Sequence, residues 1–226
     1  GVGVVCGLIT SPEYSMKKLL GSGMQKIFTI TKVFRNREEF GGTHNPEFSM
    51  LEWYVQGEGY QACMDETEAL LKALARVFKK TLPDFERSRV RDLFLEKVGI
   101  DLDQESKQLL SDACDRLNIH TDPSDTESDL FYRLFLEKVE PFLGKHPVFV
   151  YDYPKHQAAL SRMTEDGLYG ERFELYLNGL ELCNGFTELT DAKEQKRRFE
   201  EEANERRDLG KIVFPIDEEL LRLLPS

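Results

Sequence analysis

At 226 residues the chain is long enough to bury a full hydrophobic core, as one large domain or as a domain with an insertion. Its 40% hydrophobic and 31% charged residues are ordinary for a globular protein, and no apolar run approaches a membrane span. Thirty basic residues against 41 acidic ones leave a formal charge of −11, which opposes broad binding along a nucleic-acid backbone yet leaves room for a local basic pocket. Gly1 to Thr10 lacks the basic flank of a signal peptide, so a cytoplasmic protein is expected. Cys6, Cys63, Cys114 and Cys183 are too scattered for a zinc pattern or a redox pair and are expected to be reduced and mostly buried.

In chain order, Gly1 to Thr10 is small and apolar, a strand or the remnant of a longer one. A helix then runs to Gly21, with Ser11 as N-cap and Pro12 at the first helical position. Capping leaves Ser11 and Glu13 able to offer a hydroxyl and a carboxylate to an ammonium group. Lys26 to Val33 is β-branched and aromatic and reads as a strand that leads into a hairpin spanning Phe34 to Tyr54. From Tyr60 to Lys80, the helical spacing of Leu70, Leu71, Leu74, Val77 and Phe78 marks a core-facing stripe. Residues 84 to 147 read as an inserted or flanking helical segment. It holds a helix over Ser106 to Leu117 and a second opened by a Ser124/Glu127 capping box. The pentamer Phe-Leu-Glu-Lys-Val occurs at both 94 and 135, too few copies for a repeat architecture. His120 and His146 have no ligand-like company.

Val148 to Pro154 is a short strand between prolines, and Asn178-Gly179 joins two more strands in a two-residue hairpin. There Leu175, Leu177, Leu180 and Leu182 are expected on the core face, with Glu181 pointing away beside Glu174 and Tyr176. Asp191 caps a charged helix through Arg207, and a last helix starts near Ile216.

The Phe34 to Tyr54 hairpin carries the chemistry. Period two puts Phe48, Met50, Glu52 and Tyr54 on one face of its second strand and Glu47, Ser49, Leu51 and Trp53 on the other. A strand built only for burial would not set Glu52 between Met50 and Tyr54, so a cationic or hydrogen-bonding partner is expected there. The plain alternative is an amphipathic hairpin with a solvated tip. The sharper one is a ligand floor with Arg35 at its rim, since a guanidinium forks onto phosphate.

Arg35-Asn36-Arg37-Glu38, a loop, His44-Asn45-Pro46-Glu47-Phe48 and then Met50-Leu51-Glu52-Trp53-Tyr54 resemble motif 2 of class II aminoacyl-tRNA synthetases in its lysine-branch form. Thr10-Ser11-Pro12-Glu13-Tyr14 before it, and the run from Glu181 through Asn184 and Glu188 to Asp191 after it, fall in the order and spacing of the lysyl-tRNA synthetase catalytic domain. With Gln157-Ala158-Ala159-Leu160 added, the chain is most similar to the paralogues that lack the anticodon-binding domain and transfer β-lysine to a lysine of elongation factor P. The resemblance implies an α+β fold, an antiparallel sheet flanked by helices. It implies a single catalytic domain over residues 1–226 with a helical insertion at about 84–147.

It further implies contacts to substrate lysine at Ser11, Glu13, Tyr54, Asn184 and Glu188. ATP contacts fall at Arg35, Glu38, His44, Asn45 and Phe48, with Phe48 under the adenine, and at Glu181 and Leu182. Mg²⁺ falls to Glu181 and Glu188, and Arg35 is the catalytic group. The implied activity is ATP-dependent activation of lysine or β-lysine, with elongation factor P as acceptor, in a homodimer. A synthetase core charging tRNA and a non-catalytic synthetase-like binding protein are the alternatives.

The residue chemistry agrees with this. A substrate with two ammonium groups calls for several acids, and Glu13, Glu52, Glu181 and Glu188 supply them. A carboxylate attacking phosphorus needs alignment and neutralised phosphoryl charge, work for Arg35 and Mg²⁺. It needs no general base, because it is already ionised at neutral pH.

Three departures from the family pattern carry expectations of their own. The motif 2 loop holds one residue more than the usual spacing: either Arg37 is the extra residue and Glu38 the equivalent acid, which is the preferred reading, or the register of the loop differs. Strict alternation would set Glu181 and Asn184 on opposite faces, so a bulge or strand end is expected near Cys183 to Gly185. Motifs 1 and 3 would lie before Gly1 and after Pro225, so a partial catalytic domain is expected.

Overall fold

The computed structural model describes residues 7–35, 45–144, 146–158 and 160–224. In chain order its elements are α1 (Glu13–Gly21), β1 (Lys26–Phe34), β2 (Glu47–Val55), α2 (Tyr60–Val77), β3 (Glu86–Arg89), α3 (Val90–Lys97), α4 (Lys107–Arg116), α5 (Glu127–Leu134), β4 (Val148–Pro154), β5 (Tyr169–Leu177), β6 (Leu180–Phe186), α6 (Ala192–Asp208) and α7 (Glu218–Leu223). The chain divides into two compact units, one of residues up to Gly57 with those from Leu189 onward, the other Glu58–Glu188. No helix among the described residues is long and apolar enough to cross a membrane.

In the first unit β1 and β2 pair antiparallel, from Lys26 opposite Val55 to Phe34 opposite Glu47. Exposure alternates along β1 and along β2 as far as Glu52, as period two requires. Ile27, Thr29, Thr31 and Val33 lie on the covered face, opposite Tyr54, Glu52, Met50 and Phe48. Phe28 and Ile30 stand on the other, 74% and 69% exposed. The α1 cap is shifted by one residue from the expected position: Pro12 is the N-cap, its carbonyl accepting from Met16 N–H at 3.0 Å. Ser11 contributes just before the cap, its Oγ accepting from Glu13 N–H at 3.0 Å, the short hydroxyl turn that serine favours. Residues 7–10 form no strand; Ile9 only accepts one bond from Phe34 N–H, and residues 1–6 lie outside the described chain.

Helix α1 lies so close to α7 that a Cβ on Gly21 would come within 2.6 Å of Leu223, and Lys18 binds Asp217 and Glu219 at 2.7 and 3.0 Å. Asp191 caps α6 by accepting from Lys193 and Glu194 N–H, as expected.

In the second unit the strand order is β3-β4-β5-β6, with β3 parallel to β4 and the rest antiparallel. The sheet is therefore mixed, and the segment at 84–147 opens with a strand before its helices. Both faces of this sheet are covered. Phe149, Phe173 and Leu175 pack with Tyr60 and Met64 of α2. Val148, Val150 and Tyr176 pack with Phe94, Leu110, Phe131 and Phe135 from the helical segment.

Several local expectations change here. Of the expected α2 stripe, Leu71 packs on the core among the described residues, while Leu74, Val77 and Phe78 are 44%, 75% and 72% exposed. The capping box at α5 is Thr126 with Asp129, two residues beyond the expected pair, and Ser124 instead hydrogen-bonds Asp122 in the preceding turn. After α5 the chain winds on as a π-helical turn over Phe135–Val139, so the second Phe-Leu-Glu-Lys-Val differs in conformation from the first.

The Asn178-Gly179 turn has both residues at positive φ, 53° and 74°, the geometry that matches strand twist. Leu180 and Leu182 do not face a core and are 45% and 44% exposed, whereas Glu174 and Tyr176 are both buried at 3%. The helical segment covers the face that sequence alternation had assigned to solvent.

Candidate active site

In the first unit, the start of α1 and the end of β2 bring Ser11, Glu13, Glu52 and Tyr54 together. Ser11 Oγ donates to Glu52 Oε2 at 3.0 Å, and Tyr54 OH donates to Glu52 Oε1 at 2.8 Å. The partner expected for Glu52 is thus a pair of hydroxyls. Loss of water pushes the Glu52 carboxyl up from its ordinary value despite these two bonds, and the Glu13 charge adds to the rise. Glu13 Oε1 meets Lys17 Nζ at 2.7 Å one helical turn on, with the lysine stem buried. The result is a pair of carboxylates, Glu13 and Glu52, with the Lys17 cation beside them.

Further along the same face, the Arg35 guanidinium lies 5.4 Å from the centre of the Phe48 ring, and its Nε donates to Thr10 O at 3.3 Å. Asn45 is exposed at the approach to β2. Glu38, His44 and the Arg37/Glu38 register lie outside the described residues.

In the second unit the expected irregularity is present one residue early. Leu175 pairs with Cys183 but Tyr176 pairs with Glu181, which leaves Leu182 as the extra, exposed residue of a bulge. The bulge puts Glu181 and Asn184 on the same side of the strand. A regular strand would have separated them. Gly185 allows this, since a Cβ there would fall 2.7 Å from the Phe173 ring.

Glu174, paired with Asn184, is the buried neighbour of this face. Its Oε2 accepts from Tyr153 OH and Tyr176 OH, both at 2.6 Å, and its Oε1 accepts from Arg172 at 2.6 Å. Partial loss of water, then the Glu174 charge, raise the Glu181 carboxyl from its ordinary value, although its side chain keeps solvent contact. Glu188 follows β6 and pairs with Ser161 in an isolated bridge. Sequence reasoning missed Arg172, Glu174 and Tyr153 as a network; the only signal was an Arg-x-Glu spacing that puts both side chains on one strand face.

Among the described residues, no group of three or more His, Cys, Asp or Glu is gathered as a metal-ligand set. Two carboxylates with polar company suit Mg²⁺, which keeps several waters and shares its shell with phosphates. Cys63 and Cys183 pack against the α2 side of the sheet, where burial pushes their thiols up to about 11 and about 12. They are reduced and poorly nucleophilic. Cys114 is buried, and Cys6 lies outside the described residues.

Known proteins match this chain along nearly its whole length. It is 40% identical over 227 residues to the elongation factor P–(R)-β-lysine ligase of Edwardsiella ictaluri (strain 93-146), covering 98% of this chain and 68% of that protein. The ligase of the same name from Salmonella typhi is 40% identical over 229 residues, covering 99% and 68%. The family model for tRNA synthetases class II (D, K and N) matches residues 5–218, and the chain belongs to that family.

Proposed function

We propose that the protein is an ATP-dependent ligase that activates lysine or β-lysine as the aminoacyl-adenylate and passes it to a lysine side chain of elongation factor P. The observation that carries this reading is the Ser11–Glu52–Tyr54 cluster beside Glu13, in a chain of this family. A half-buried carboxylate whose value is raised, and whose hydrogen bonds among the described residues come from hydroxyls, gains from an incoming ammonium group. Ser11, Glu13, Tyr54, Asn184 and Glu188 are the proposed contacts to the amino acid. Arg35, Glu38, His44, Asn45, Phe48, Glu181 and Leu182 are those to ATP.

In this mechanism the amino-acid carboxylate attacks the α-phosphorus and pyrophosphate leaves. The acceptor lysine amine then attacks the activated carbonyl and AMP leaves. Arg35 neutralises the charge that builds on the α-phosphoryl oxygens, and the Phe48 ring beneath it offers the adenine a stacking face. No side chain needs to withdraw a proton in the first step, which fits the absence of an activated nucleophile from the proposed set. Glu181 and Glu188 would hold Mg²⁺, which supplies charge neutralisation to the phosphates when bound. The homodimer implied by the family belongs to the same proposal and is open to sedimentation analysis.

Pyrophosphate exchange by the full-length gene product tests the reading, with L-lysine compared against (R)-β-lysine. Exchange with one of them, followed by label transfer to elongation factor P, is the expected result. Transfer to tRNA instead would change the acceptor, and lysine binding without exchange would leave a binding protein.

A further inference from the structure

Helix α2 begins without help from its own N-cap, because Gly59 has no side chain to bond the first free N–H groups. The missing acceptor comes from far along the chain. Thr187 Oγ1 accepts from Tyr60 N–H at 2.9 Å, across 127 positions of sequence. Gly59 permits this approach, since a Cβ there would stand only 3.2 Å from the same oxygen. Thr187 is buried, and its backbone is tied on both sides: its N–H donates to Glu171 O at 2.9 Å, and its carbonyl accepts from Arg162 N–H at 2.8 Å.

The other end of Tyr60 is held as firmly. Its OH donates to Asp152 Oδ1 at 2.8 Å, while Arg89 Nε donates to Asp152 Oδ2 at 2.9 Å. Asp152 sits where the β4–β5 register shifts and has a φ of 60°, a conformation that costs a non-glycine residue energy and persists only when its surroundings impose it. A buried acid in a strained bulge, a phenol, a helix start and a threonine hydroxyl thus form one connected chain of contacts. It ends one residue before Glu188.

We propose that Thr187 is a positioning residue for Glu188, fixing where that carboxylate meets the amino-acid substrate, and that Tyr60 and Asp152 hold Thr187 in place. The inference rests on the reading above, in which Glu188 contacts the amino acid. A hydroxyl is required rather than bulk: valine fills the same space but cannot accept the Tyr60 N–H, whereas serine can.

The test is pyrophosphate exchange by the full-length enzyme carrying Thr187→Val, Thr187→Ser or Tyr60→Phe. Thr187→Val is expected to raise KM for the amino acid about tenfold, the weight of one lost hydrogen bond, with a clearly smaller rise in KM for ATP, whose Mg²⁺ Glu188 would share. Thr187→Ser should restore the wild-type value, and Tyr60→Phe should give a smaller rise of the same kind. The proposal is overturned by an amino-acid KM that stays within twofold in Thr187→Val. Equal rises in both KM values, or a serine variant as impaired as the valine one, overturn it as well. If the wild-type enzyme shows no exchange, the functional reading falls, and the positioning chain is then judged by amide hydrogen exchange. Thr187→Val must speed exchange at Tyr60 and Arg162, and unchanged rates overturn it.

Discussion

Glu52 in the first unit and Glu174 in the second are both strand carboxylates flanked by tyrosine, yet they are satisfied differently. Glu52 is half-buried and meets two neutral hydroxyls, Ser11 and Tyr54. Glu174 is buried at 3% and meets two phenols and the Arg172 guanidinium. The second arrangement pairs its charge directly with a guanidinium, whereas at Glu52 the Lys17 charge acts only through space and counts for less than the opposing Glu13 charge. The sheets differ in the same sense: β1 and β2 expose Phe28 and Ile30 on their outer face, while β4 and β5 are covered on both faces. An acid that the fold neutralises supports the protein. An acid that the fold only hydrogen-bonds keeps part of its desolvation cost, as the raised Glu52 carboxyl shows.

The most direct way to break this contrast is to neutralise each acid in turn. Glu174→Gln leaves Arg172 buried without its counter-charge and is expected to destabilise the protein by about 3–5 kcal/mol in urea unfolding. A loss below about 1 kcal/mol would show that the guanidinium finds another partner. Core truncation sharpens the comparison of the two sheets. Phe149→Ala, at 0% exposure, should cost about 3–5 kcal/mol, whereas Phe28→Ser, on the exposed face of β1, should stay within about 0.5 kcal/mol.

Glu52→Gln should act in the opposite direction to Glu174→Gln. A carboxyl whose folded value is raised carries no penalty well below its ordinary 4.5 and its full penalty once pH exceeds the folded value. The variant should therefore melt slightly above wild type at neutral pH and lose that advantage in acid, while lysine binding by calorimetry is abolished. A variant that melts lower at neutral pH and still binds lysine would remove Glu52 from the site.

The smallest effect is at α6, where Arg197 and Arg198 hold Glu194 down to about 2. Its contribution is complete above 4.5 and fades as pH falls from there towards 2, so Arg197→Ala should narrow the acid range of the melt only slightly. An equal loss at neutral and strongly acidic pH would assign the effect to helix propensity instead.

Legibility followed the range of the interactions. The β1–β2 hairpin, its inward face and the Asn-Gly turn were readable because period two and turn chemistry are local. The need for a bulge beside Glu181 was readable too, since residues three apart, such as 181 and 184, fall on opposite faces of a regular strand. The burial of Glu174 was not, because it depends on where the helical segment packs, and nothing in the alternation of β5 records that. The exposed end of α2 was misread for the same reason: helical spacing shows which residues share a face but not how far the partner surface extends.

By itself the sequence determined the family, the faces of the β1–β2 hairpin and the Asn-Gly turn. Tertiary structure alone decided that Leu182 bulges, that Thr187 caps a helix begun 127 residues earlier, and that Arg172 answers Glu174. The physical reason is that periodicity and capping are set by neighbours along the chain. Charge compensation and remote caps depend on which surfaces meet, and those meetings are chosen by the packing of the whole unit.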